Sequence, residues 1–359
     1  MDSRYIFTVC QNGAEAVCKN EIMENHPGLK FAFSRPGFVT FKCDSDALPE
    51  KFILKSTFAR TYGWSLGNTK TDALSEHIQQ ILSYKQSTSA KHLHVWQRDT
   101  KIPGTSGFEP GQSVLADQTA PLIAKSIEEK TSTAIIANRH AQAEDLILDV
   151  VMVEPDYWFV GYHYAQTKPQ RWPGGTPTLS CEEAPVSRAY FKLQEALLWS
   201  GIHIQADDVC AEIGSCPGGA CQLLLEKGAQ VFAVDPAEMD KELLKNEKLT
   251  HMRCRGKEIR KKDFKEVKWL FTDVNVAPQY TLDIVSDILT NQHVNKIHGM
   301  ILTLKLSDLQ LAGEIPKWIA AIKQLGFQVV KTRQLAFNRR EICLMAVKDR
   351  FALRSSRRK

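Results

Sequence analysis

The chain has 359 residues, 43% of them hydrophobic, and a formal net charge of +5. That length fits two or three domains, and the composition suits a globular protein with a sizeable core. No apolar run is long enough for a membrane helix, and Asp2 followed by no long apolar stretch excludes a secretory signal. Nine cysteines with no CxxC pair read as reduced, mostly buried thiols, which places the protein in the cytoplasm. His92 and His94 alternate on a strand with no His or Cys partner nearby in sequence, so no metal site is expected. A mildly basic chain permits a polyanionic partner. The distribution says more, because Arg253–Lys262 and Arg350–Lys359 are strongly cationic blocks.

The first part of the chain reads as α+β units. "YIFTVC" alternates as a strand, residues 13–26 form an amphipathic helix stopped at Pro27-Gly28, and "GFVTFKC" is a strand after a Pro-Gly turn. A helix over 72–83 and a strand over 91–99 follow. Residues 101–113 are a Gly/Pro-rich loop, and 116–130 are helical. "DLILDVVMVEPDYWFVGYHY" is a hairpin. Residues 166–184 carry Pro169, Pro173, Pro177 and two glycines, and are read as a linker. The expected domains are therefore 1–165 and 185–359.

Beyond the linker, strands and helices alternate. A helix over 186–201 precedes strands at "VCAEIG", "AQVFAVD", "VKWLFTDV", "HGMILTLKL", "FQVVKTRQL" and "EICLMAVK", with helices between them. Several strands are continuously apolar, as parallel strands covered on both faces should be. This is an α/β sheet with crossover helices, whose ligand belongs at the carboxyl ends of the strands.

"AEIGSCPGG" leaves the first strand of that sheet and opens a helix. Gly214 suits the tight turn, while Gly218 and Gly219 would let a ligand approach the backbone. The loop lacks the Lys-Ser/Thr of a phosphate loop, its spacing is not GxGxxG, and Pro217 removes a donor. Nucleoside triphosphates and dinucleotides are thus disfavoured. Asp235, ending the second strand, could be a turn residue, but beside this loop it reads as an acceptor for ribose hydroxyls. A ribose-bearing cofactor without pyrophosphate fits, and S-adenosyl-L-methionine is the candidate.

"EIGSCPGG" resembles the cofactor loop of FtsJ-type ribose 2'-O-methyltransferases. "APVSRAYFKLQEA", Asp263-Phe264, "FTDVNVAP", "LTLKL" and "NRREICLMAV" fall in that family's order. The N-terminal half resembles the ferredoxin-like and THUMP modules of bacterial enzymes that methylate a cytidine ribose in 23S rRNA. The resemblance implies a Rossmann-like S-adenosylmethionine-dependent domain with a mainly parallel seven-stranded sheet, preceded by an α+β RNA-binding region. It implies RNA as partner and large-subunit rRNA as substrate. It implies a catalytic set of Lys192, Asp273, Lys305 and Glu341. The chemistry of a poorly nucleophilic hydroxyl then suggests Lys305 as base, Lys192 depressing its pKa and helping to hold the hydroxyl, and the two acids orienting the lysines and compensating charge. Cofactor contacts would come from Ser187, Gly214, Cys216, Pro217, Gly218, Gly219, Asp235, Asp263 and Asp273. Asp263 could equally be a loop acid balancing Arg260–Lys262, Asp273 a helix cap and Glu341 a surface acid. Arg188 could meet an RNA phosphate. The sequence departs from the family at Glu212 (usually Asp), Ser215 (usually Ala) and Ala220 (often Trp), the last leaving one wall of the cofactor pocket open. The competing functions are an RNA base methyltransferase, for which "DVNVAP" lacks the Asn-Pro-Pro-aromatic loop, and a non-catalytic RNA-binding or assembly factor.

Overall fold

The computed structural model describes residues 4–44, 47–105, 110–111, 113–292 and 294–349. The basic stretch Arg350–Lys359 and part of the 101–113 loop lie outside the described residues. The chain divides into two compact units, 1–178 and 179–359.

The first unit is built on one eight-stranded sheet. Its strands are β1 (Arg4–Val9), β2 (Leu29–Arg35), β3 (Phe38–Cys43), β4 (Thr61–Lys70), β5 (His92–Gln97), β6 (Ile136–Ala137), β7 (Leu146–Glu154) and β8 (Tyr157–Tyr164). They lie in the order β2-β3-β1-β4-β8-β7-β5-β6. The helices are α1 (Glu15–Asn25), α2 (Leu74–Ser83), the single turn α3 (Gln86–Ser89) and α4 (Val114–Thr131). Helix α4 begins where the Ser113 hydroxyl accepts from the Ala116 N–H, a standard N-cap. Its buried Ala116, Ala120, Ile123 and Ile127 pack with Leu93, Val95, Leu148 and Val150 of the sheet. Strands β2 and β4 were not expected from the sequence. The first is an exposed edge strand, and the second contains Gly63 and Gly67, which dilute the strand pattern.

Two expectations need correction here. Residues 166–178 are not a free tether. They belong to the first unit, where Pro169–Arg171 and Pro173–Gly175 form two short turns with Gln170, Trp172, Gly174 and Gly175 buried. His163 Nε2 donates to the Gln170 carbonyl at 2.7 Å and so ties the segment to β8. Proline and glycine here shape packed turns rather than a loose chain. Likewise, His94 does acquire a neighbour, because the β7-β8 pairing brings the His163 ring within 6.3 Å of it and Asp149 within 2.5 Å of His163 Nδ1. Strand pairing joins residues that sequence spacing keeps apart. Among the described residues, no His, Cys, Asp or Glu group is arranged to hold a metal ion. Nor is any helix among them long and apolar enough to cross a membrane.

The second unit opens with α5 (Ala189–Ser200), closed by Gly201 at a left-handed φ of 75°. Then follow β9 (Val209–Ile213), α6 (Gly219–Glu226), β10 (Gln230–Val234), β11 (Leu249–Met252), β12 (Trp269–Thr272), α7 (Pro278–Leu289), β13 (Gly299–Lys305), α8 (Ile315–Gln324), β14 (Val329–Arg333) and β15 (Glu341–Val347). The seven strands lie in the order β11-β10-β9-β12-β13-β15-β14. Strands β9 to β13 pair in parallel, and only β15 runs against its neighbours. Every residue of β15 is buried, and all of β13 except Lys305. The chain direction reverses its progress across the sheet between β9 and β12. That switch point opens a crevice at the carboxyl ends of these strands. Antiparallel pairing sets Glu341, the first residue of β15, opposite Lys305, the last of β13.

Gly175 has φ of 71°, and a Cβ there would run into the Arg60 backbone. Gly175→Ala should therefore destabilise the first unit by more than about 1 kcal/mol and speed protease cutting within 166–178. Urea unfolding and limited proteolysis measure both. Wild-type behaviour in the two assays would refute this account of the segment.

Candidate active site

Four charged side chains from four elements meet at the carboxyl edge of the second sheet. Lys192 projects from α5, Asp273 follows β12, Lys305 ends β13 and Glu341 opens β15. Lys192 Nζ lies 2.7 Å from Asp273 Oδ2 and 2.6 Å from Glu341 Oε1. Lys305 Nζ lies 3.1 Å from Asp273 Oδ1 and 2.9 Å from Glu341 Oε2. Each carboxylate thus bridges both ammonium groups, and the four form a closed ring of alternating charge with no net charge. Helix α5 places Lys192, and the ends of adjacent strands place the other three.

Electrostatics hold Glu341 and Lys192 ionised. Burial opposes the charge on Glu341, but the ammonium groups of Lys192 and then Lys305 outweigh it, holding the carboxyl down at about 2. Burial likewise opposes the charge on Lys192, and Asp273 and Glu341 outweigh it, so its pKa sits above the ordinary lysine value. The charge of Lys192 is offset by the two acids it bridges.

The glycine loop lies beside this ring. The Gly214 N–H donates to the Val234 carbonyl at 2.9 Å, with φ of 82°, and a Cβ there would come within 2.6 Å of the Asp273 carbonyl oxygen. The missing side chain lets the loop pass against the strand end that carries Asp273. Gly218, at φ of 122°, packs beside Leu243 and Met239, while Gly219 abuts Ser187, so a side chain at either position would collide with its own chain. The Cys216-Pro217 peptide is cis.

Asp235 receives the Cys216 N–H at 3.2 Å and the Ala237 N–H at 2.8 Å, so it anchors the loop to the end of β10. Asp263 lies in a short turn and pairs with Arg260 Nε at 3.0 Å, as a loop acid would. Ser187 Oγ accepts from the Ala189 N–H at the start of α5. Both Asp273 oxygens are taken by the lysines. A loop without Lys or Arg, beside an acid at the end of β10 that can accept from hydroxyl groups, suits a ribose-bearing group rather than a polyphosphate.

Three features were not legible beforehand. Glu212, buried under the loop in β9, accepts from the Cys221 thiol at 2.9 Å. Burial, with smaller contributions from Asp273 and Asp235, pushes its carboxyl up to about 8. Its replacement of Asp was visible in the sequence, but not the fact that it is kept neutral. Ala220 is buried and lines a cavity of about 20 Å³ with Lys192, Glu212, Thr272 and Thr303, between α5 and the sheet. Glu195 is fully buried one turn along from Lys192, and nothing in the local spacing announced it.

A parallel sheet with this strand order, a glycine turn after its first strand and a charged ring at the switch point define a Rossmann-like domain of the methyltransferase class. Residues 185–334, most of the second unit, match the family model of the FtsJ-like methyltransferases. Lys192, Asp273 and Lys305 fall inside the matched segment, and Glu341 falls beyond it. The chain is 23% identical over 358 residues to a ribosomal RNA large subunit methyltransferase M of Histophilus somni (strain 2336), covering 93% of this chain and 96% of that relative. It is 24% identical over 358 residues to the protein of the same name from Photorhabdus sp. (strain Az29), covering 93% of each. Among solved structures, TrmN from Thermus thermophilus covers 96% of this chain at 13% identity, with a TM-score of 0.34 and 99% of that chain matched.

The raised pKa of Glu212 has a consequence for stability. A carboxyl whose folded pKa of about 8 lies above its ordinary value favours the fold at low pH. That contribution is lost as pH rises through about 8. Glu212→Gln should therefore gain stability relative to wild type as pH rises from the ordinary carboxyl range to about 8, with a constant gap beyond. Thermal unfolding of both proteins from acid to mildly alkaline pH tests this, and a gap independent of pH would contradict it.

Proposed function

We propose that this chain is an S-adenosylmethionine-dependent methyltransferase acting on the ribose 2'-hydroxyl of RNA in the cytoplasm, with a cytidine of 23S rRNA as its target. The observation that carries the reading is the closed Lys192–Asp273–Lys305–Glu341 ring beside the glycine loop. The names of the relatives, ribosomal RNA large subunit methyltransferases, point to the same substrate class.

When bound, S-adenosylmethionine supplies an electrophilic methyl group on a sulfonium. The residues placed to hold it are the loop from Gly214 to Gly219, Ser187, Asp235 and Asp263. A ribose hydroxyl is a poor nucleophile at neutral pH and needs a base aimed at its proton. Lys305, at the strand end and the less tightly paired of the two ammonium groups, is that base. Lys192 holds the hydroxyl oxygen, while Asp273 and Glu341 fix both lysines.

The RNA-binding region is residues 1–165, a ferredoxin-like and THUMP-like region, with cations of the second unit adding a salt-dependent term. Arg253, Arg255, Lys257, Arg260 and Lys262 are exposed after the carboxyl end of β11, on the edge where the ring lies. Lys257 also sits over the Tyr280 ring at 4.4 Å, a surface on which a base could stack.

Lys305→Ala should lower methyl transfer by a factor of about 100 or more while leaving cofactor affinity near wild type. Labelled-methyl incorporation and calorimetry read the two quantities, and near-normal transfer would remove Lys305 from its role. Replacing Arg253, Arg255 and Lys262 together by Ala should weaken RNA binding and flatten its dependence on log salt by up to about 2 units, at ~0.7 per phosphate contact. An unchanged slope would rule the segment out as a phosphate contact.

A further inference from the structure

Glu195 is a carboxylate with no solvent exposure. Its two oxygens accept the backbone N–H groups of Ala336 and Phe337, each at 2.9 Å. Those residues lie in the 334–340 connection between β14 and β15, which delivers Glu341 to the ring. The connection is fixed at its far end by the Leu306 N–H, which donates to the Arg340 carbonyl at 2.7 Å. Within it, the Asn338 side chain accepts the Leu335 N–H at 2.8 Å. Phe337 also packs against Phe191 of α5, with ring centroids 5.6 Å apart.

Glu195 stands three residues after Lys192, on the same face of α5. One helical turn therefore carries both a lysine of the ring and the anchor for the segment that presents the lysine's partner. Nearly 150 residues separate α5 from β15 in the chain. The β13–β15 pairing sets Glu341 across from Lys305, and the Glu195 anchor in addition ties the segment just before Glu341 to the helix that carries Lys192. A buried carboxylate costs free energy unless it is satisfied, so the connection is held tightly or the fold loses stability.

We infer that Glu195 is a positioning residue for methyl transfer: by binding the 336–337 backbone, it holds Glu341 at contact distance from Lys192 and so keeps the ring closed. The inference rests on the proposed reading of the ring. Glu195→Gln puts an amide nitrogen where one backbone N–H now points and replaces attraction with a clash of donors. The connection would drift and Glu341 with it. Lys192 would then lose part of the stabilisation that Glu341 gives its charge.

The test uses the full chain with S-adenosylmethionine and large-subunit rRNA. Glu195→Gln should lower kcat by a factor on the order of 10 or more, with KM for the cofactor within about 2-fold of wild type. In a Glu341→Gln background, the same substitution should cost little more, because both changes act on one contact. The Lys192 ammonium, followed by 15N NMR without any turnover, should titrate at lower pH in Glu195→Gln than in wild type. Additive losses in the cycle, or an unmoved Lys192 titration, would overturn the inference. If Glu195→Gln fails to fold, Glu195→Asp retains the charge at a shorter reach. It should fall between wild type and inactive, and a wild-type kcat and Lys192 titration in a folded Glu195→Asp protein would equally overturn it. A wild-type chain that transfers no methyl group refutes the proposed function alone, and the Lys192 titration still judges Glu195.

Discussion

The second unit depends on one electrostatic arrangement, two ammonium groups and two carboxylates closed into a ring at the edge of a sheet. Any one of these charges buried alone would cost several kcal/mol. Closed, each charge has two opposite neighbours within about 3 Å, and the set carries no net charge. The geometry is available only because β15 runs antiparallel. A parallel β15 would put its first residue at the opposite end of the sheet. Reversing it sets Glu341 across from Lys305, and α5 then lays Lys192 over the pair.

The same ring explains why the surroundings are built as they are. Gly214 has no side chain because the loop must pass close to the carbonyl of Asp273. Glu212 lies beneath the loop, close enough to feel Asp273, and a second buried negative charge there would compete for the lysines. Keeping that carboxyl neutral at physiological pH avoids the competition. Asp235 remains available at the crevice edge while anchoring the loop through the Cys216 N–H. Ring and loop are thus a single unit of construction, joined where the Gly214 turn passes the strand end that carries Asp273.

Much of this was legible in the sequence, for identifiable reasons. Continuous apolar runs such as "MILTL" and "ICLMAV" marked the buried strands, and a lysine ending one of them stood out because an ammonium is costly there. The family resemblance named the four ring residues. What escaped were features set by three-dimensional packing. The four-residue edge strand β11 is too short for a period to register. Prolines and glycines in 166–178 read as a linker because their burial depends on strands more than 70 residues earlier. Local spacing also does not show that Leu243, Met239 and Ser187 occupy the space beside Gly218 and Gly219. Glu195 looked like any helical acid, since its two backbone partners lie some 140 residues away.

The central claim is that the ring directs a methyl group to a ribose hydroxyl. It is tested most directly by incubating the protein with methyl-labelled S-adenosylmethionine and large-subunit rRNA, then hydrolysing the product in alkali. A 2'-O-methyl group removes the hydroxyl that attacks the neighbouring phosphate, so the label should remain in an alkali-resistant dinucleotide carrying a cytidine. Label recovered only in single nucleotides, on a base, would contradict the account.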